Sequence, residues 1–132
     1  LVRKSLAGLL DEADIELINE VLKSLNKIRK PVWIDIHNLR AVKHGTIIHI
    51  DCHITLPFYL SLKQTHDQLK LLEYELNYEF NNRLEIFIHP DPCEFTSCNI
   101  CQVTYCTYRK FDFLEKVNWS ANNVLLNTKH KI

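Results

Sequence analysis

The chain of 132 residues has no methionine, two glycines and four prolines, and its sixteen Lys and Arg are cancelled by sixteen Asp and Glu. Gly8 and Gly45 stand far apart, which excludes the Gly-rich loops that cradle phosphates. Zero net charge removes the basic surface that nucleic acid or an anionic membrane would require, and aromatics do not interleave with a basic stripe. No nucleic-acid partner is expected. No apolar run approaches the ~20 residues of a membrane helix, and Arg3 and Lys4 are not followed by the apolar core of a secretory signal. Nucleophile elbows and Ser–His–Asp spacings are lacking too, so neither an enzyme nor a small-molecule substrate is expected. A chain that opens on Leu1 and lacks Met reads as a piece of a longer protein.

What is present is a globular balance of 46% hydrophobic and 24% charged residues. Seven His are many for this length, and four of five Cys crowd into residues 93–106. An odd, clustered cysteine count argues against a secreted disulfide framework. Together with the His it points towards metal in a reducing compartment.

Periodicity divides the chain. Residues 1–9 read as a linker. Asp11 is a helix cap, and Ile15, Ile18, Leu22 and Leu25 recur at three- and four-residue steps until Pro31 stops the helix, with Arg29 and Lys30 at its negative end. The period then becomes two. Val32, Ile34 and Ile36 face one way and Trp33, Asp35 and His37 the other. After a turn at His44 and Gly45, Ile48, Ile50, Cys52 and Ile54 are predicted to face the core, with His49, Asp51 and His53 opposite.

Ser61 and Gln64 form a capping box opening a second helix, whose stripe runs through Leu69, Leu72, Leu76 and Phe80 and extends back to Thr65 and His66. Leu84, Ile86 and Ile88 form a third strand with Glu85, Phe87 and His89 on its other face, terminated by Pro90 and Pro92 around Asp91. This order predicts an α+β, ferredoxin-like αββαβ sandwich over residues 10–92, with helices on one face of a small sheet. Residues 93–132 read as a Cys-rich extension ending in a short helix from Ser120 to Leu126.

Two constellations carry chemistry. His37, His53 and His89 lie on the non-core faces of three strands, Asp91 sits two residues beyond His89, and His66 starts the second helix. Imidazole and carboxylate together suit zinc and similar first-row ions, and a bridging Asp can hold two metals. His44, His49 and His130 read as a turn, an outer face and a tail residue. The second is Cys93-x4-Cys98-x2-Cys101-x4-Cys106. Four thiolates at this spacing can close around one structural zinc, with an iron–sulfur cluster or two disulfides as alternatives. Phe95, Tyr105, Tyr108, Phe111 and Phe113 are expected to pack around that knuckle, and Cys52 to be a core thiol.

Residues 33–40 (Trp-Ile-Asp-Ile-His-Asn-Leu-Arg), Ile-Asp-Cys-His-Ile at 50–54, Gln-Thr-His at 64–66 and Ile-His-Pro-Asp-Pro at 88–92 resemble, in order, the motifs of the cation diffusion facilitator C-terminal domain. Leu-Leu-Asp-Glu-Ala at 9–13 is similar to the junction after that family's last membrane helix. The resemblance implies a cytosolic, ferredoxin-like, homodimeric domain of a proton-coupled divalent-metal efflux transporter, on the cytoplasmic face of a membrane, a bacterial inner membrane being expected. It implies a regulatory metal, usually Zn2+ with Fe2+, Mn2+, Co2+ or Cd2+ as other candidates, on His37, His53, His66, His89 and Asp91. Metal would draw the dimer closed and act on the membrane portion of the same transporter through residues 1–9. Asn38 stands where the family usually has Asp, and the Cys-rich extension is absent from most members. A free-standing metal carrier of similar fold is the alternative, although the carrier's expected C-x-x-C in the first strand–helix loop is lacking. A dinuclear-metal hydrolase is a weaker rival, since nothing marks a lid or a positioned base.

Overall fold

The computed structural model describes residues 15–132. The linker, the Asp11 cap and the 9–13 junction lie outside the described residues.

Helix α1 (Ile15–Ile28) buries Ile18, Val21, Leu22 and Leu25 along one stripe. Ile15, expected to open that stripe, is exposed, and Val21 completes it instead. Beyond the helix, the Arg29 guanidinium donates to the carbonyls of Val117 and Ile34 and lies 3.8 Å over the Trp119 ring. Burial pulls its pKa down to about 10, so it stays charged at neutral pH and binds the tail to the helix.

Strands β1 (Asp35–His44) and β2 (Ile47–Leu56) pair antiparallel around a turn at Gly45, whose φ of +61° is what such a turn requires. Helix α2 (Leu62–Glu79) then carries the chain across to β3 (Leu84–Pro92), which pairs parallel to β2. The sheet order is β1-β2-β3, and the α+β, ferredoxin-like arrangement is the one expected. Ile48, Ile50, Cys52 and Ile54 of the central strand meet Leu72, Leu76 and Phe80 of α2 and the α1 stripe in one core. Each such side chain contributes about 1.5–3 kcal/mol. Among the described residues no helix is long and apolar enough to cross a membrane.

Three local readings need correction. Trp33 does not face outward: it is fully buried, and its indole N–H donates to Gln68 Oε1 at 2.9 Å. Ile34 joins a second, smaller cluster with Ile100, Cys101 and Val103. The cause is that β1 begins at Asp35, so strand alternation does not reach residues 33 and 34. Pro90 and Pro92 do not end β3, whose pairing runs to Leu56↔Pro92; an edge strand tolerates proline where no partner needs its N–H.

The register of β1 shifts between His37 and Arg40, with Asn38 at φ +51°. This bulge lets Leu39 and Ala41 continue the core face begun by Ile36. Asparagine tolerates the left-handed conformation better than most residues, and its N–H donates to Leu126 O at 2.8 Å. The residue that departs from the family pattern thus has a backbone task.

The Ser61 hydroxyl accepts from Gln64 N–H at 3.0 Å while Gln64 Oε1 accepts from Ser61 N–H at 2.8 Å. Replacing Ser61 by Ala should cost about 1 kcal/mol, read as a lower urea midpoint with unchanged slope. Asn81 and Asn82, both at positive φ, end the run after α2.

The tail forms a 3-10 helix, Phe95–Ile100, and a short helix α3 (Ala121–Val124) that ends before Leu126. Its Trp119 and Val124 enter the main core. The five aromatics expected around a knuckle are all exposed. Of these, Tyr108 stacks on Tyr59, 5.3 Å between centroids, and Phe95 lines the Cys cavity. Hydrogen bonding, described below, holds the knuckle instead.

Candidate metal centre

The pairing register sets the site. His37 lies opposite His53 across β1–β2, and His53 opposite His89 across β2–β3. One imidazole from each strand therefore stands in a row across the sheet, with ring centroids 4.9 Å and 4.6 Å apart. Two residues along β3, Asp91 turns its carboxylate into that row. Its Oδ2 lies 3.0 Å from His53 Nδ1 and 3.5 Å from His37 Nε2, and its Oδ1 lies 3.4 Å from His89 Nε2.

His37, His53 and Asp91 offer ligand atoms all within 4.8 Å of one another. Two nitrogens and an oxygen at this separation fit a tetrahedral ion with one position left for another donor. His37 is buried; His53 and Asp91 are half-buried; His89 is exposed. Burial holds His37 below the usual imidazole pKa, His53 pushes it further down, and Asp91 opposes both. A neutral ring keeps its lone pair for a metal. His53 Nδ1 donates to Asp91 when the carboxylate is ionised, so binding a metal through that nitrogen requires the ring's other tautomer.

His66 is not brought into this group. It is exposed on the second turn of α2. Its neighbour Thr65 lines a crevice with Leu60, Pro90 and Asp91, but His66 itself does not.

The four clustered cysteines also converge. Cys93, Cys98, Cys101 and Cys106 all line one small cavity of about 30 Å³, and all are free thiols. They stand round its wall rather than at the 4.8 Å spacing of the His/Asp group. Burial pushes the Cys93 and Cys101 thiols up. Cys52 is the expected core thiol, driven by burial to about 12.

One residue pair escaped the sequence reading. Asp35 is 1% exposed, and it accepts from both the backbone N–H and the ring Nδ1 of His130, while His130 Nε2 contacts Asn123 O at 2.8 Å. Hydrogen bonding to Asp35 holds His130 above the ordinary imidazole pKa against the effect of burial. His130 is thus a clamp on the start of β1, two residues from His37. The available signal was Asp35 itself: a charge in the run Trp-Ile-Asp-Ile needs a partner if buried.

A small α+β sandwich with a row of imidazoles across its sheet and one carboxylate among them defines a metal-binding domain. The profile described as "Cation efflux protein, cytoplasmic domain" matches residues 10–93, and the chain belongs to that family. It is thus a cytoplasmic domain of a metal-transporting membrane protein. Its fold is similar to the candidate zinc transporter CzrB (TM-score 0.54, 19% identity, 60% of this chain and 95% of that one). It is also similar to the metal-bound C-terminal domain of the CzcD transporter from Thermotoga maritima (0.51, 20%, 61% and 91%). The copper form of the MamM C-terminal domain is a third such structure (0.53, 16%, 79% and 91%). No curated protein matches the chain.

Proposed function

We propose that this domain is the regulatory metal sensor of a proton-coupled divalent-cation efflux transporter, with zinc as the preferred ion. The supporting observation is the single carboxylate of Asp91 standing 3.0–3.5 Å from imidazoles on three different strands. His37 and His53 supply ring nitrogens and Asp91 Oδ2 the third donor. Asp91 Oδ1 and His89 Nε2, 3.4 Å apart, would hold a second ion, with His66 as the further donor recruited on closure. Bound zinc supplies a rigid Lewis-acid link between these donors.

Residues 10–92 act as the sensing unit, and residues 1–9 connect it to the membrane portion. Two copies associate, and the closed arrangement is favoured only by the difference in metal affinity between open and closed forms. The open sheet face around His53, Phe87 and His89 gives the second copy a place to approach. The zinc preference agrees with the zinc named for CzrB. The domain itself performs no catalysis, and the parent transporter sits in a bacterial inner membrane.

Sedimentation velocity and inter-subunit spin-label distances, with and without zinc, test this reading. A dimer whose distance distribution narrows and shortens with zinc is expected. Zinc uptake by a monomer, with no change in association, would instead identify a soluble metal carrier. Equal zinc uptake by the unmodified chain and Asp91→Ala would remove the sensor altogether.

A further inference from the structure

We propose that Cys93, Cys98, Cys101 and Cys106 form a second, independent metal site, a closed tetrathiolate that binds one zinc ion and fastens the tail to the domain. The inference does not rest on the sensor reading. All four thiols border the same cavity of about 30 Å³, room for a single small ion. Their positions come from three different local structures. Cys93 continues the β3 pairing through its N–H to Leu56 O at 2.9 Å. Cys98 and Cys101 bracket the end of the 3-10 helix, joined by Cys101 N–H to Cys98 O at 3.2 Å. Cys106 lies in the loop beyond, beside Tyr59.

The surroundings are those of a built site. Phe58 N–H donates to Cys93 Sγ at 3.4 Å, and Val103 N–H donates to Cys101 Sγ. Such donors hold thiolate ligands in place and spread their charge. The Arg109 guanidinium then gathers the carbonyls of Cys98, Phe111, Cys101 and Val103 at 2.7, 3.0, 2.8 and 2.9 Å. One side chain thus turns the knuckle's carbonyl oxygens away from the sulfurs and puts a positive charge beside them. That charge is needed, because four thiolates around a divalent cation leave the centre with a net charge of −2. Binding is balanced by release of the four thiol protons to solvent. Shallow packing gives the tail little else at this end, since Ile34, Ile100, Cys101 and Val103 are the buried members of its cluster.

The test is anaerobic cobalt(II) titration of the reduced protein, in the unmodified chain and in Asp91→Ala. Thiolate-to-cobalt charge transfer saturating at one equivalent, together with the intense visible bands of tetrahedral cobalt, is expected in both. Zinc should bleach both features stoichiometrically, and Cys98→Ser should lose them. If that variant does not fold, the first two proteins decide the matter alone. Cobalt bound without charge transfer overturns the proposal. So does a brown iron–sulfur chromophore as isolated, or two disulfides in protein alkylated at lysis. Failure of the sensor would leave this spectrum untouched, because Asp91→Ala removes only the His/Asp centre.

Discussion

Asp91→Ala should weaken metal binding at the sheet site by at least about a hundredfold, the upper end of what a mere outer partner of a ligand is worth. The carboxylate is the group that all three imidazoles share, at 3.0, 3.5 and 3.4 Å. Its loss removes the anionic donor and leaves His37 and His53 as like neighbours with nothing between them. Calorimetric zinc titration in a Cys98→Ser background isolates this site. Asp67→Ala is the control, since that carboxylate pairs with Lys63 on the exposed side of α2. An affinity within threefold of the parent for Asp91→Ala would show that the His row binds without it. Affinity should also fall in acid once His37, which burial holds below the usual imidazole range, takes up a proton.

His130→Ala should destabilise the domain by about 1.5–3 kcal/mol, because it strips the ring's hydrogen bond from a buried carboxylate that keeps only the backbone N–H of residue 130. Asp35 is 1% exposed and takes two hydrogen bonds from His130. The deficit should depend on pH in a definite direction. The folded His130 pKa is raised above the unfolded value, so more protons are bound in the folded state between the two. The contribution is therefore complete below about pH 6.5 and fades as pH rises through the folded pKa. Urea denaturation of parent and variant at several pH values reads this as a gap that narrows towards alkaline pH. A gap that widened would refute the assignment. His37 acts oppositely: its lowered pKa makes the domain less stable as pH falls below about 6.5, and since His130 is only a minor cause of that lowering, the comparison removes most of the effect.

Much of the fold was legible because period and punctuation agreed. The alternation of β2 was read correctly residue by residue, since one face is fully buried and a slip would invert it. The Ser61 capping box was legible for the same local reason. Errors came where tertiary packing overrode the pattern. Trp33 precedes the strand rather than alternating within it, and Ile15, the first residue of its helix, is exposed. The row of His37, His53 and His89 could be placed on strand faces, but its convergence on Asp91 depends on a register that spacing alone does not set. Asp35 and His130 were illegible as a pair because 95 residues separate them. Arg109 was illegible for another reason: its partners are backbone carbonyls, which leave no mark in a sequence.

That separation has a consequence for how the molecule is made. A buried carboxylate at the start of the first strand takes its hydrogen bonds from the backbone and ring of a residue 95 positions later, and contacts this distant slow folding. On a ribosome, the helices and sheet can collapse early, but Asp35 stays without its clamp until residue 130 has left the exit tunnel. The last step of assembly is thus timed by synthesis of the tail, and until then the strand that carries His37 is held by its neighbours alone.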